Sequence, residues 1–370
     1  MHYNKFLRLT IDLTAIKNNW HSMNQLSRSA RTAAVVKDNA YGLGLEKISL
    51  ALYNAGAQDF FVTDAEEGAK LRSYISKAKI FILYGIYPGD EKTILDSNLI
   101  PVISSINQLS YYLKLMSLGF NNPYALQVDT GFNRLGLNLQ EALYFAQNYI
   151  NKRYNNLSLI MSHLACADDL NSNMNFSQLN KFRTIIAYYK GIEASLAASS
   201  GILLGQNYHF QLTRPGISLY GGNHIINTSH PMQTVATAEA RIILIRKALA
   251  GEVISYGGQK KLTRNSIIAV ASVGYADGYP LNLSKLDSNN KIFAFPGGEG
   301  FVKGYKVPIL GKITMDMTMF DITDSTGIKV GDYIQIFGSN IKLDDVAISS
   351  GTTNHDLLVR IGTRYEKFYI

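Results

Sequence analysis

The sequence predicts an α/β chain in which a (β/α)₈ TIM-type barrel is followed by a mostly antiparallel β domain. Two observations support this fold class. Short, almost continuous apolar runs alternate with helix-like stretches in the first part of the chain, and β-branched segments separated by turn residues fill the last part. The 370 residues, 46% of them hydrophobic and 17% charged, suffice for two domains with sizeable cores. We expect these domains to be 1–235 and 236–370.

Eight apolar runs in the first part are predicted to be the barrel strands. A strand that helices cover on both faces has an almost continuous apolar sequence, because neither face meets water. Helical periodicity between the runs, as in 65–75 and 175–189, gives the alternation that such a barrel requires. An open doubly wound sheet is the alternative, although no GxGxxG motif follows the first strand. The predicted strands are 33–37, 60–63, 80–85, 99–104, 124–129, 157–163, 194–199 and 216–221.

The last part of the chain has a different pattern, which predicts β structure. Segments 234–249, 266–276, 306–323 and 332–338 are rich in β-branched residues, often alternate, and are separated by Gly, Asp or Asn turns. The strand-like FLRLTIDL at 6–13 precedes the first barrel helix. We therefore expect residues 1–13 to pair with the C-terminal domain.

Charge and composition exclude several classes of protein. The formal net charge is +8, but the 36 Lys and Arg residues are scattered, so no nucleic-acid partner is predicted. No segment approaches the roughly 20 apolar residues of a membrane span, and the N-terminus does not resemble a signal peptide. We expect a cytoplasmic protein without a membrane partner. Cys166 is the only cysteine, so a single chain can form neither a disulfide nor a cysteine-rich metal site, and no metal is predicted.

Lys37 is the first candidate for chemistry, because it ends the first predicted barrel strand. Active sites of such barrels form at the carboxyl ends of the strands. A lysine directly after the apolar run AAVV is costly to bury unless its amine is paired, deprotonated or covalently bound. Burial statistics alone leave the alternative of an amine that reaches solvent at the strand exit.

Seven short blocks, spread over both predicted domains, carry a further signal. They are VVKDNAYGLG (35–44), DTGFNRLG (129–136), SHLACAD (162–168), AASSGIL (197–203), RPGISLYG (214–221), VGYADGYP (273–280) and GKITMDMTMFD (311–321). In the same order, these blocks resemble those of the alanine racemase family, whose cofactor lysine lies in VVKANAYGHG. The resemblance implies a racemase that depends on pyridoxal 5'-phosphate, has a small amino-acid substrate and acts as a homodimer. It favours an isomerase that interconverts L- and D-alanine for peptidoglycan precursors.

The resemblance implies which residues bind the cofactor. Lys37 would bind its aldehyde covalently, which requires the neutral amine. Arg214 would face the pyridine nitrogen, and because a guanidinium keeps its proton, the cofactor would be a weaker electron sink than with an acidic partner. Small residues and backbone N–H groups suit the phosphate. The residues implied for the phosphate are Tyr41, Ser199, Gly216, Ile217 and, where a tyrosine is common in the family, His355.

The resemblance also implies the acid–base pair and the substrate contacts. Racemisation needs proton-transferring groups on opposite faces of the substrate α-carbon. Lys37 would serve one face and Tyr275, from the partner subunit, the other. His163 would link this tyrosine to the arginine at the cofactor. The substrate carboxylate would be received by Arg134 with Met315 and Asp316, since an arginine can bind a carboxylate in a bidentate manner.

Three residues depart from the family pattern. Leu43 replaces a histidine, Gln127 replaces a lysine that is carbamylated in many members, and His355 replaces a tyrosine. These changes concern cofactor and substrate binding, so a racemase of serine or of broader specificity is an alternative. A pyridoxal-phosphate decarboxylase of the same architecture and a cofactor-binding protein without turnover are further alternatives. The blocks around Tyr275 and Met315 favour the racemase.

Overall fold

The computed structural model describes residues 6–149, 156–223, 232–284 and 297–370. Contacts within the chain divide it into two units. One is Ile16–Gln233, and the other combines Met1–Ala15 with Thr234–Ile370. In the ranges described, no helix is both long enough and apolar enough to span a membrane.

The unit Ile16–Gln233 is built around a parallel sheet of seven strands, counted over its described residues. Each strand pairs with the next one along the chain, so that Ala34 lies opposite Phe60 and Phe60 opposite Ile80. Most of the strand residues are buried, as continuous apolar runs predict. Phe61 and Phe81 stack with their ring centroids 4.6 Å apart in the core of this sheet. The strands are Ala34–Val35, Asp59–Val62, Lys79–Ile82, Ile100–Ile103, Tyr124–Gln127, Leu157–Met161 and Glu193–Ser195.

A short eighth strand joins the two edges of this sheet and closes the barrel. Leu212–Thr213 pairs in parallel with Arg31–Thr32, and Arg214 forms a parallel bridge with Ala198. The prediction of a strand at 216–221 is wrong, because Ile217–Tyr220 form a buried 3₁₀ helix. A short apolar run has the same pattern in a buried strand and in a buried helical turn, so the sequence pattern could not separate them.

Helices alternate with the strands of this unit, as the periodicity predicts. The Asp64 and Ser105 side chains accept hydrogen bonds from the first turns of the helices that they precede, which satisfies backbone donors there. The helix Leu13–Ser27 comes before the first barrel strand. The helices that follow are Leu45–Ala55, Ala65–Tyr74, Glu91–Asp96, Ile106–Ser117, Leu139–Tyr149, Asn173–Ile186 and Ser199–Leu203, with a 3₁₀ turn at Gln206–Tyr208.

The second unit contains a mixed, mostly antiparallel sheet of eight strands within its described residues. Its central strand, Ala236–Ala248, pairs antiparallel with Leu7–Ile11, Ser266–Ala271 and Tyr333–Phe337. Leu7–Ile11 also pairs in parallel with Glu366–Tyr369. The remaining strands of the sheet are Glu299–Val302, Tyr305–Pro308 and Thr318–Asp321. A separate hairpin joins Val253–Ile254 to Lys260–Lys261, the helices are Leu343–Ser350 and Asn354–Val359, and 3₁₀ turns occupy Tyr256–Gly258, Tyr275–Asp277 and Leu281–Leu283.

Candidate active site

Lys37 begins a turn of unusual handedness at the end of the first barrel strand. The next four residues, Asp38 to Tyr41, have φ angles between 53° and 55°, the left-handed region. A residue with a side chain costs about 1–2 kcal/mol in this conformation. Four in succession require compensating contacts, and such strain is concentrated at functional sites.

Glu67 supplies much of that compensation. Its carboxylate accepts hydrogen bonds from the backbone N–H groups of Asn39, at 2.7 Å, and Thr63, at 2.9 Å. The Asn39 side chain in turn accepts from the N–H of Leu45 at 3.0 Å. Our sequence analysis did not identify Glu67. The available signal was the Asp64-x-x-Glu67 pattern at a helix start, in which Asp64 accepts from the Glu67 N–H at 2.9 Å.

The residues predicted to bind phosphate come together in the barrel unit. The Ser199 hydroxyl accepts hydrogen bonds from the N–H groups of Gly216, at 2.9 Å, and Ser218, at 3.3 Å. The ring centroids of Tyr41 and Tyr220 lie 4.4 Å apart. A Cβ added to Gly216 would lie 2.4 Å from the Tyr41 hydroxyl, so only glycine allows this approach. Hydroxyls and backbone donors from three segments thus form a cradle that suits an anion.

Arg214 is a buried cation whose hydrogen-bond partners are neutral. Only 4% of the residue is exposed. Its guanidinium donates to the Ser195 hydroxyl, to the Ser162 carbonyl at 2.6 Å and to the Leu196 carbonyl at 3.4 Å. Burial lowers its pKa to about 9, so it stays charged at neutral pH. No carboxylate of the described chain pairs with it, which makes a bound acceptor favourable here.

His163 is surrounded by positive charge. Burial, followed by the charges of Arg214, Arg134 and Lys37, lowers the pKa of His163 to about 3. The imidazole is therefore neutral at physiological pH, with one nitrogen able to donate and the other able to accept. The structure brings these three cations and His163 into one electrostatic group.

Gln178 holds the segments that carry this group, although the sequence analysis did not identify it. The side chain is completely buried. Its amide donates to the Thr130 hydroxyl at 3.1 Å and to the His163 carbonyl at 3.0 Å, and its carbonyl accepts from the Ala165 N–H at 2.8 Å. A polar residue on the apolar face of the helix Asn173–Ile186 was the signal that could have identified it.

The loop that carries Arg134 is organised by its own residues. Asp129 accepts hydrogen bonds from the N–H groups of Gly131 and Phe132, both at 2.8 Å. Gln127 is buried, and its amide donates to the Leu135 carbonyl at 3.1 Å. The residue that replaces the family lysine therefore contacts the backbone of this loop. Leu43, the other departure in this unit, is completely buried.

In the second unit, backbone contacts fix Tyr275 against the segment of Met315. The N–H groups of Tyr275 and Ala276 donate to the carbonyls of Thr314, at 3.1 Å, and Met315, at 3.0 Å. A Cβ on Gly274 would lie 2.2 Å from the Met315 carbonyl oxygen, so glycine is needed there. The Tyr275 side chain remains 47% exposed. The turn thus presents a phenol whose backbone is tightly held.

Arg364 links the same two segments by ion pairs, and sequence analysis did not identify it. It forms a bidentate pair with Asp277, at 2.6 and 2.8 Å, and donates to Asp316 at 2.8 Å. The Asp277 side chain has no exposed surface and also accepts from the Gly274 N–H at 3.0 Å. Arg364 and Asp277 are 87 positions apart in the sequence, so no local pattern predicts that they pair.

The predicted site residues fall into two sets. His355 is the second residue of the helix Asn354–Val359, where it is exposed. It belongs to the second unit, with Tyr275, Met315 and Asp316. The set in the barrel unit is Lys37, Tyr41, Arg134, His163, Ser199, Arg214, Gly216 and Ile217.

Comparisons with known proteins agree over nearly the whole chain. Residues 11–224 match the family model "Alanine racemase, N-terminal domain", and residues 235–369 match "Alanine racemase, C-terminal domain". The biosynthetic alanine racemase of Agrobacterium fabrum is 49% identical over 366 residues, which cover 98% of this chain and 94% of the relative. The alanine racemase of Rhizobium meliloti is 45% identical over 365 residues, covering 98% and 96%.

Solved structures show the same fold. The alanine racemase of Bartonella henselae with covalently bound pyridoxal phosphate has a TM-score of 0.91 and 33% identity, with 99% of each chain covered. The biosynthetic alanine racemase of Pseudomonas aeruginosa has a TM-score of 0.88 and 28% identity, again with 99% of each chain covered.

Proposed function

This chain belongs to the alanine racemase family and is an isomerase, and we propose that it interconverts L- and D-alanine with pyridoxal 5'-phosphate as its cofactor. The observation that carries the proposal is the group formed by Arg214, Arg134 and His163 beside an anion cradle. Its cations have no carboxylate partner within the described chain. A phosphorylated cofactor and a substrate carboxylate supply the anions that such a group favours.

The residues of the barrel unit fit this cofactor. Tyr41, Ser199 and the backbone of Gly216 and Ile217 would hold its phosphate, and Arg214 would face its pyridine nitrogen. Lys37 would bind it covalently. When bound, the cofactor withdraws electron density from the substrate α-carbon and makes its C–H bond acidic. Burial raises the pKa of Tyr41, so its hydroxyl keeps its proton and can donate to phosphate.

Two residues would move the proton at the substrate α-carbon. Lys37 acts on one face and Tyr275, from the partner subunit of a homodimer, acts on the other. One removes the α-proton and the other donates a different proton to the opposite face, which inverts the centre. The neutral imidazole of His163 can accept a hydrogen bond from the phenol without repelling the nearby arginines.

Arg134 would receive the substrate carboxylate, together with Met315 and Asp316. The Asp316 side chain is an anion and is held by Arg364 at 2.8 Å. Its carboxylate would repel the substrate carboxylate, so we assign the contribution of Met315 and Asp316 to their backbone N–H groups. His355 is exposed on its helix, and its role in phosphate binding stays a prediction.

The reaction can be tested with the holoenzyme in deuterium oxide and a panel of L-amino acids that includes alanine and serine. We expect chiral chromatography to show D-alanine, with deuterium at the α-carbon and no carbon dioxide. Borohydride reduction followed by peptide mass spectrometry should place the cofactor on Lys37 and find none in Lys37→Ala. Absence of inversion for every amino acid would contradict the proposal, and release of carbon dioxide would indicate a decarboxylase.

The shared site can be tested by mixing two inactive variants, Lys37→Ala and Tyr275→Phe, under conditions that exchange subunits. In a mixed dimer with shared sites, one of the two sites combines an intact lysine with an intact tyrosine. Random exchange should then restore roughly one quarter of the wild-type activity, because half of the dimers are mixed. If each subunit supplies both residues, no activity returns.

A further inference from the structure

We propose that Phe132 is a positioning residue, whose ring orients the Arg134 guanidinium for the substrate carboxylate without an anionic partner. The inference rests on the proposed role of Arg134 and extends it to a residue of the same block, to which the family resemblance assigned no role. It explains how this arginine is held in a chain that has Gln127 near the start of the loop.

The first observation is the contact between the two side chains. The Cζ atom of Arg134 lies 4.2 Å from the centroid of the Phe132 ring. A guanidinium within about 6 Å of a ring face is attracted by the negative potential of that face. Within the described residues, this is the contact that holds the Arg134 side chain, because none of the ion pairs there involves it.

The second observation is that Phe132 itself is fixed on two sides. Its N–H donates to Asp129 at 2.8 Å, which sets the backbone of the loop. Its ring meets the imidazole of His163 in a T-shaped contact, with centroids 5.4 Å apart and planes at 61°. The ring therefore connects the histidine at the cofactor with the arginine for the substrate.

The third observation concerns the donors of the guanidinium. An anionic partner would occupy some of its five N–H groups, whereas a ring face occupies none of them. Gln127 is neutral and donates to the Leu135 carbonyl at 3.1 Å, so it fixes the far end of the loop without competing for Arg134. All five donors of Arg134 remain available for a bidentate pair with the substrate.

Replacement of the ring tests the inference. We expect Phe132→Leu to raise KM for L-alanine roughly 2- to 5-fold, which corresponds to the free energy of a partly exposed cation–π contact. The change in kcat should be smaller. Phe132→Tyr keeps the ring face and should recover most of the loss. Isothermal titration of each holoenzyme with propionate, which has a carboxylate but no amino group, should show the same order of dissociation constants without any turnover.

A double-mutant cycle separates positioning from a general loss of structure. In an Arg134→Gln background there is no cation to orient, so Phe132→Leu should leave propionate binding unchanged. Equal effects of Phe132→Leu in both backgrounds, or no effect in wild type, would overturn the inference. If the wild-type holoenzyme inverts no amino acid, the proposed function fails, but the propionate titrations still decide the role of Phe132.

Discussion

The two units use arginine in opposite ways. In the barrel unit, Arg214 is bound by neutral groups, and burial lowers its pKa to about 9. In the second unit, Arg364 is bound by Asp277 and Asp316, whose hydrogen bonds raise its pKa. A buried cation with no carboxylate partner among the described residues gains from a bound acceptor, whereas a cation that two carboxylates already hold serves to fix the backbone.

This difference suggests a division of labour between the two sets of site residues. The barrel unit would bind the cofactor and substrate through arginines that have no carboxylate partner in the described ranges. The second unit would present a phenol on a turn that is locked internally. The division predicts that substitutions in the two units affect different measurements, which the following experiments can test.

The largest effect is expected for Tyr275→Phe. Loss of an acid–base group should lower kcat by about 10²–10⁴-fold, while cofactor affinity stays close to that of wild type because the barrel unit provides the phosphate cradle. Steady-state kinetics and cofactor titration measure the two quantities. Tyr256→Phe, at another exposed tyrosine of the same unit, is the matched control. A parallel loss of cofactor binding in Tyr275→Phe would contradict the division.

A smaller effect, on stability, is expected for Arg364→Gln. The change leaves the buried Asp277 carboxylate without its bidentate partner, which should lower the free energy of unfolding by about 2–3 kcal/mol. Urea denaturation measures this change. Arg360→Gln removes an exposed pair with Asp356 and should cost only about 0.3–0.5 kcal/mol. Equal losses in the two variants would show that Arg364 does not lock the turn.

Near neutral pH, the smallest effect is the pH dependence of stability that His163 contributes. Its pKa is about 3 in the folded chain and about 6.5 when unfolded. The unfolded state therefore binds more protons between these values, so the stabilising contribution is complete above pH 6.5 and is lost as the pH falls towards 3. NMR of ¹³C-histidine should show no titration of His163 between pH 5 and 8. A midpoint near 6.5 would mean that neither burial nor the surrounding cations lower its pKa.

Much of the fold could be predicted from the sequence, because it depends on local patterns. Seven of the eight proposed strands overlap strands of the barrel sheet, since a buried parallel strand has a continuous apolar sequence. The prediction of a strand at 216–221 was wrong, because the 3₁₀ helix there is as apolar and as buried as a barrel strand. The strand that closes the barrel, Leu212–Thr213, is only two residues long and has too little sequence for a pattern.

The site residues also divide into those that a local sequence pattern identifies and those that it does not. The family blocks identified the residues proposed to meet cofactor and substrate, such as Lys37 and Arg214. Glu67, Gln178 and Arg364 were missed, because each acts on backbone or side chains 28, 48 or 87 residues away. Their partners become neighbours only after the chain has folded.

The sequence by itself determined the alternation of strands and helices, the family and the types of residue available for chemistry. The tertiary structure alone decided the electrostatic state of those residues. Arg214 and Arg364 have the same side chain, but one is desolvated among carbonyls and hydroxyls, and the other faces two carboxylates. A pKa depends on desolvation and on the distance to other charges, and both quantities exist only once the chain is packed.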